Sequence, residues 1–276
     1  MRTISLPTGR QIPAFGIGTW RMGENQRERA RETDAIRHAL DLGCKLIDTA
    51  EMYGNGNAEL QIGEALAGRR SEVYIVSKVY PHNASRGGTI EACERSLKRL
   101  RLDRIDLYLL HWPGSIPVTQ TIEAMQELQR TGKIVDFGVS NFDLDDMQQW
   151  TAHDGGATAS NQVMYNLARR GIEFDLLPWM RKRRMPAMAY SPLDQAALLR
   201  SAPLRKIAAD LGATAAQVAL AWLLHQPDIV VIPKSSDASR TTENFGALEI
   251  KLGDAELASL DKAFPPPRRK QGLAMS

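Results

Sequence analysis

The chain has 276 residues, with 35 Lys+Arg against 32 Asp+Glu for a formal charge of +3, and it is 43% hydrophobic and 24% charged. Those proportions belong to a folded globular protein and exclude a disordered chain, a collagen-like chain and a coiled coil. The near-neutral charge leaves no electrostatic footprint for nucleic acid, and no apolar stretch approaches the ~18–20 residues of a membrane span.

Residues 5–13, with a Thr8-Gly9 turn between two short extended pieces, predict a hairpin. Strand-like cores follow at 15–18, 46–47, 73–77, 105–110, 134–139, 159–163, 186–189 and 229–232. Between them lie amphipathic helical patterns, clearest at 33–42, 90–100, 122–128 and 215–224. A short C-terminal helix is expected before residues 265–276, a tail opened by Pro265-Pro266-Pro267 and expected to run loosely over the surface. The four-residue run from Arg181 and the three-residue run from Arg268 read as solvated faces. Neither Met1-Arg2-Thr3-Ile4-Ser5, which lacks the apolar core of a signal peptide, nor the two cysteines, Cys44 and Cys93, suggest an oxidising compartment. The expectation is one domain over 1–276, cytoplasmic and monomeric, without a nucleic-acid, membrane or metal partner.

Eight strands alternating with helices fit a closed (β/α)₈ TIM barrel or an open doubly wound sheet. The strand ends favour the barrel. Asp48, Lys78, His111, Ser140-Asn141, Gln162, Tyr190-Ser191 and Lys234 each follow an apolar run. Polar residues at the carboxyl end of nearly every strand are where barrel enzymes keep their chemistry, whereas an open sheet gathers them at one switch point.

Two motif matches mislead. Gly16-Ile17-Gly18 after a strand resembles a dinucleotide fingerprint, but Arg21 stands where the third glycine is needed, and Asp48 lies about 30 residues on instead of ~20. Tyr74 and Lys78 form a Tyr-x-x-x-Lys match, a pairing that needs a helix. Their β-branched surroundings read as strand, which would set the two side chains on one face but ~13 Å apart. The lysine therefore needs another tyrosine, and Tyr53 is the candidate. If consecutive strands lie side by side, Asp48, Tyr53, Lys78 and His111 converge on one mouth of the barrel. A nearby ammonium lowers a phenol's pKa, a carboxylate keeps that ammonium charged, and a neutral histidine can hydrogen-bond a carbonyl oxygen. Carbonyl reduction needs such a tuned proton donor.

These four residues resemble the catalytic tetrad of the aldo-keto reductase superfamily, and the resemblance covers almost the whole chain. Gly18-Thr19-Trp20, Ser140-Asn141-Phe142, Asn161-Gln162, Ala189-Tyr190-Ser191-Pro192-Leu193, Ile232-Pro233-Lys234-Ser235, then Arg240 and Glu243-Asn244 match further family motifs in order. The wording around Tyr53 is most similar to bacterial members that reduce methylglyoxal and related aldehydes. The resemblance implies Tyr53 as general acid, with its pKa depressed by Lys78 and Asp48, and His111 positioning the carbonyl. It implies NADPH across the barrel mouth, with nicotinamide on Tyr190 and the carboxamide held by Ser140, Asn141 and Gln162. Lys234 and Arg240 would take the 2′-phosphate. Gly18, Thr19, Trp20, Asp48, Ser191, Pro192, Leu193, Ile232, Ser235, Glu243 and Asn244 complete the implied cofactor contacts. Trp20, Met52, Tyr80, His111 and Trp112 would line the pocket for a small carbonyl substrate.

Read singly, Asp48 could cap a turn, Lys78 could lie on the surface, and Trp20, Tyr80 and Trp112 could be core aromatics. His82 could reach the mouth or solvent, Arg169-Arg170-Gly171 reads as a solvated turn, and Cys93 as a packing residue. Two other functions compete. A redox-sensing subunit would bind the cofactor with little turnover, and a Schiff-base aldolase would need Lys78 neutral, against the Asp48 charge.

Overall fold

Two antiparallel strands, β1 (Thr3–Ser5) and β2 (Gln11–Pro13), pair Ile4 with Ile12 around a turn at Gly9, where φ is +82°. The computed structural model, which describes residues 2–154 and 156–275, continues with eight parallel strands hydrogen-bonded in chain order. They are β3 (Ile17–Gly18), β4 (Leu46–Asp48), β5 (Tyr74–Val79), β6 (Ile105–Leu110), β7 (Ile134–Ser140), β8 (Thr158–Met164), β9 (Ala187–Tyr190) and β10 (Ile229–Val231). The first strand region meets the last: the Gly16 and Gly18 amides donate to the Val231 and Pro233 carbonyls at 3.0 Å, and the Val231 amide donates to Ala14. The eight-stranded sheet thereby closes on itself, so the expected TIM barrel is the fold.

Helices cover the outside: α1 (Arg29–Asp41), α2 (Asn57–Ala65), α3 (Arg86–Leu100), α4 (Val118–Arg130), α5 (Leu144–Thr151), α6 (Leu176–Lys182), α7 (Ala202–Asp210), α8 (Ala215–His225), α9 (Ala238–Phe245) and α10 (Asp254–Ala263). Several begin earlier than their apolar periodicity predicts. The first turn of α3 is polar, and it forms because Ser85 accepts the Gly88 amide at the helix start. Among the described residues, no single helix is long and apolar enough to cross a membrane.

The strand alternation divides the core in two. Outward positions pack on the helices, and inward ones (Leu46, Val76, Leu107, Leu109, Met188, Val230) fill the barrel. Ile4, Leu6 and Ile12 of the hairpin plug its amino-terminal end. On β5 the inward positions are Tyr74, Val76 and Lys78, with Tyr74 at the plugged end and Lys78 at the open one. Both cysteines are buried and free, and burial pushes their thiols up, to about 11 for Cys44 and about 12 for Cys93.

Two sequence expectations are corrected here. The tail is not loose: Leu273 packs against the outer core, and Lys270 lies 3.5 Å from Asp175. Nor is Arg170 solvated. Its side chain is 9% exposed, pairs with Glu173 at 2.8 Å and Asp261 at 2.6 Å, donates to the Phe264 carbonyl and sits over the Trp222 ring. One guanidinium thereby fastens the end of α10 to the barrel, which a sequence-local reading of three residues could not show. Arg170→Ala should lower the unfolding free energy by about 2–3 kcal/mol, because it leaves Glu173 with only the Tyr165 hydroxyl as partner and removes the donor to the Phe264 carbonyl. Urea unfolding checks this; a change within a few tenths would make Arg170 a surface ion pair.

Candidate active site

Past the end of β4 the chain stays bonded to β5, the Thr49 amide donating to the Val76 carbonyl and the Glu51 amide to the Lys78 carbonyl. It then turns back, and the Tyr53 amide donates to the Ala50 carbonyl at 3.1 Å. A second turn follows, closed by the Asn55 amide on the Met52 carbonyl; Gly54 lies in it with φ +54°, and a Cβ there would come within 2.6 Å of the Met22 carbonyl oxygen. The Glu51 carboxylate accepts the Tyr80 amide at 2.8 Å and the Asn83 side chain at 3.0 Å, tying the tyrosine-bearing loop to the segment after β5.

The result brings Tyr53 onto Lys78. The lysine is fully buried and donates to Asp48 Oδ2 at 2.9 Å, the Thr49 carbonyl at 2.7 Å and Tyr53 Oη at 3.3 Å. An ammonium has three protons and no acceptor, so all three are committed. The phenol oxygen accepts from the lysine, and its own proton is left to point elsewhere. Asp48 Oδ1 accepts from Gln162 Nε2 at 2.7 Å, from across the barrel. The His111 ring stands edge-on to Tyr53 at 5.8 Å, with its Nδ1 buried and unpartnered. Tyr74 plays no part in this cluster.

Electrostatics revise one expectation. Burial, with the Asp48 charge adding to it, raises the Tyr53 phenol well above its ordinary value. Lys78 was expected to lower it, but its charge is largely offset by the carboxylate it pairs with. Burial pulls Lys78 itself down and Asp48 up, each opposed by the other's charge. Burial and then Lys78 hold His111 well below 6.5, so its imidazole is neutral at pH 7. The mouth therefore presents a protonated phenol beside an uncharged imidazole.

A cavity of about 890 Å³ opens over this group. Asp48, Tyr53, His111, Trp20, Met52 and Trp112 line one end, and Gly18, Ser140, Asn141, Gln162 and Tyr190 its middle. Ser191, Pro192, Leu193, Ile232, Lys234, Ser235, Arg240, Glu243 and Asn244 line the rest. Tyr190 Oη donates to Asn141 Oδ1 at 2.8 Å, and Asn141 Nδ2 donates to the His111 carbonyl at 3.1 Å, linking three strand ends. Two expected contacts are not in the wall. Thr19 is turned inward, its hydroxyl donating to the Asp48 carbonyl at 2.9 Å, and Tyr80 packs behind Trp112 at 5.1 Å and against His82 at 4.3 Å. Lys78 lies beneath the floor. The sequence reading missed Arg21, Arg31, Gln195, Ser236 and Met275, all of which line the cavity. Ser191, Asp194, Gln195 and Ala196 have positive φ, an uncommon conformation for residues other than glycine that no residue type among them announces.

The sequence profile described as "Aldo/keto reductase family" matches residues 14–264. The chain belongs to the aldo/keto reductase family. It is 49% identical to methylglyoxal reductase YeaE of Escherichia coli (strain K12) over 270 residues, covering 96% of this chain and 95% of that protein. It is 34% identical to glyoxal reductase of Bacillus subtilis (strain 168), covering 94% and 91%. Its fold matches a crystal structure of an aldo-keto reductase from Klebsiella pneumoniae in complex with NADPH, with a TM-score of 0.96 and 46% identity over 100% of this chain and 99% of that one. The protein is an oxidoreductase enzyme.

Two tests follow from the geometry of this aldo/keto reductase. Tyr74 Oη is buried without a partner, so Tyr74→Phe should leave activity within about twofold and stability unchanged or slightly higher. Loss of activity in that variant would contradict the strand placement. Unfolding frees the depressed His111 to bind a proton, so stability is complete above about pH 6.5 and declines as pH falls toward the folded value. Urea midpoints should drop between about pH 7.5 and 5.5 in the wild type and drop less in His111→Gln. Equal drops would assign the acid sensitivity to other groups.

Proposed function

We propose that this enzyme reduces short 2-oxoaldehydes such as methylglyoxal, together with aromatic and small aliphatic aldehydes, to alcohols with NADPH, and that Tyr53 is the general acid. The carrying observation is the hydrogen bond from Lys78 Nζ to Tyr53 Oη, which leaves the phenol proton free for a substrate oxygen. The names of the Escherichia coli and Bacillus subtilis relatives support the substrate class. The donor set along the cavity fits the cofactor: amide and hydroxyl groups of Ser140, Asn141 and Gln162 suit a carboxamide, the Tyr190 ring offers a flat face, and Lys234 and Arg240 suit a phosphate.

Held by Ser140, Asn141, Gln162 and Tyr190, the dihydronicotinamide of NADPH would supply the hydride for the carbonyl carbon. Tyr53 gives its proton to the carbonyl oxygen, so one hydride and one proton convert the aldehyde to a primary alcohol. The phenolate left behind keeps the Lys78 hydrogen bond it already accepts, which becomes an ion pair and so is stronger. Neutral His111 orients the carbonyl by a hydrogen bond without competing for the proton. Trp20, Met52 and Trp112 form an apolar rim that excludes water and suits a small substrate.

Tyr53→Phe should lower turnover of methylglyoxal by at least about a hundredfold while NADPH affinity, read by fluorescence titration, stays within about twofold. Lys234→Ala and Arg240→Ala should weaken NADPH far more than NADH. Against a panel of methylglyoxal, aromatic aldehydes, ketones and sugars, kcat/KM should be highest for the aldehydes. A Tyr53→Phe enzyme with near wild-type turnover would remove the acid assignment.

A further inference from the structure

The far end of the cavity carries a cation that the family motifs do not include. Arg31 lies in the first turn of α1; its neighbour Arg29 pairs with Glu64, whereas Arg31 lines the same cavity as Lys234 and Arg240. Its Nη2 donates to Ser236 Oγ at 3.4 Å, and Lys234 Nζ donates to that same oxygen at 3.4 Å. Two cations are thus gathered on one hydroxyl, whose two lone pairs can serve both but whose neutrality offsets neither charge.

The carboxylates around the pair offset it only in part. Arg31 pairs with Glu28 at 2.8 Å, the two side chains being 59% and 38% exposed, so that solvent screens the pair in part. Among the described residues, Lys234 has no carboxylate within ion-pair distance. Burial lowers the Lys234 ammonium, and the charges of Arg31 and Arg21 lower it further, against Glu32 and Glu24. The placement of α1 is fixed, since His38 Nε2 lies 2.8 Å from Thr242 Oγ1 on α9, the helix that bears Arg240. Concentrated positive charge around a hydroxyl-lined recess is what a phosphate monoester dianion satisfies, and a planar guanidinium can grip it with two parallel hydrogen bonds.

We propose that Arg31 is a nucleotide-specificity residue: held beside Lys234 by Ser236, it binds the adenosine 2′-phosphate of NADPH. This rests on the reading that NADPH is the cofactor.

The test is equilibrium binding by calorimetry of the full chain, wild type, Arg31→Ala and Arg31→Lys, to NADPH, NADH, 2′,5′-ADP and 5′-ADP. Arg31→Ala should raise the dissociation constants of NADPH and 2′,5′-ADP by about tenfold and leave NADH and 5′-ADP within about twofold, with Arg31→Lys recovering part of the loss. Equal losses for NADPH and NADH would assign Arg31 to the shared diphosphate and overturn the proposal. No change for any ligand would reduce Arg31 to a surface partner of Glu28 and overturn it as well. A wild-type protein that fails to prefer NADPH over NADH would instead fail the cofactor reading itself, before any variant is compared.

Discussion

A single buried ammonium organises the mouth of this barrel. Removing a charged amine from water costs several kcal/mol even after relaxation, and the cost is met only when every proton has a partner. Lys78 finds three, one carboxylate, one backbone carbonyl and one phenol, at positions supplied by β4 and the loop that follows it. The requirement fixes that loop, because the Thr49 carbonyl and the Tyr53 hydroxyl both reach the lysine only with the chain turned between Ala50 and Tyr53. It also reaches across the barrel, since Gln162 on β8 holds the second oxygen of Asp48 and so keeps the carboxylate turned to the lysine. Tyr53 is positioned both by this electrostatic requirement and by its packing in the outer core and against His111.

The two ends of the barrel divide the work. At the amino-terminal end the hairpin seals the apolar interior, and the polar groups there serve the seal: Arg10 reaches Asp136 at 2.8 Å, and Tyr74 fills space with its hydroxyl unpartnered. At the carboxyl end the same strands deliver side chains of mixed chemistry into one cavity. The parallel register makes this possible, because an inward position two residues farther along each strand moves from an apolar layer to a polar one. Val76 and Lys78, or Leu109 and His111, differ by that single step.

This register explains how much the sequence revealed. Strand cores are short apolar runs, and a polar residue directly after one marks both a strand end and a barrel mouth, so the barrel and the positions of Asp48, Lys78 and His111 were readable. Tyr53 was readable because Tyr74 is too far from Lys78 along an extended strand. What depends on loops and on distant contacts was not. Tyr80 follows its strand as Trp112 does, and only the packing of the two rings decides which faces the cavity. Arg31 looks like any helix-surface arginine until α1 is laid against α9, and Arg170 looks solvated until α10 arrives beside it. The expected lowering of the Tyr53 pKa is reversed for another reason: the sequence pairs it with a cation but says nothing of how deeply both are buried, or that the cation's field is opposed at close range by Asp48.

That opposition bears on how the two ends of the cavity treat charge. Around Tyr53 the standing charges sum to nothing, with Asp48 against Lys78 and neutral phenol and imidazole beside them. Around Ser236 two cations, Arg31 and Lys234, converge on one neutral hydroxyl. A permanent dianion is best met by permanent cations, which bind it as strongly before a reaction as after. A negative charge that exists only while a carbonyl is being reduced is better met by a proton that moves, because standing cations would also hold anionic competitors and add nothing specific to the transition state. A neutral mouth with one transferable proton and a cationic far end therefore suit, respectively, an uncharged aldehyde and a phosphorylated nucleotide. The Tyr190–Asn141–His111 chain of hydrogen bonds runs between them and keeps the flat ring, the carboxamide-type donors and the imidazole in one rigid frame.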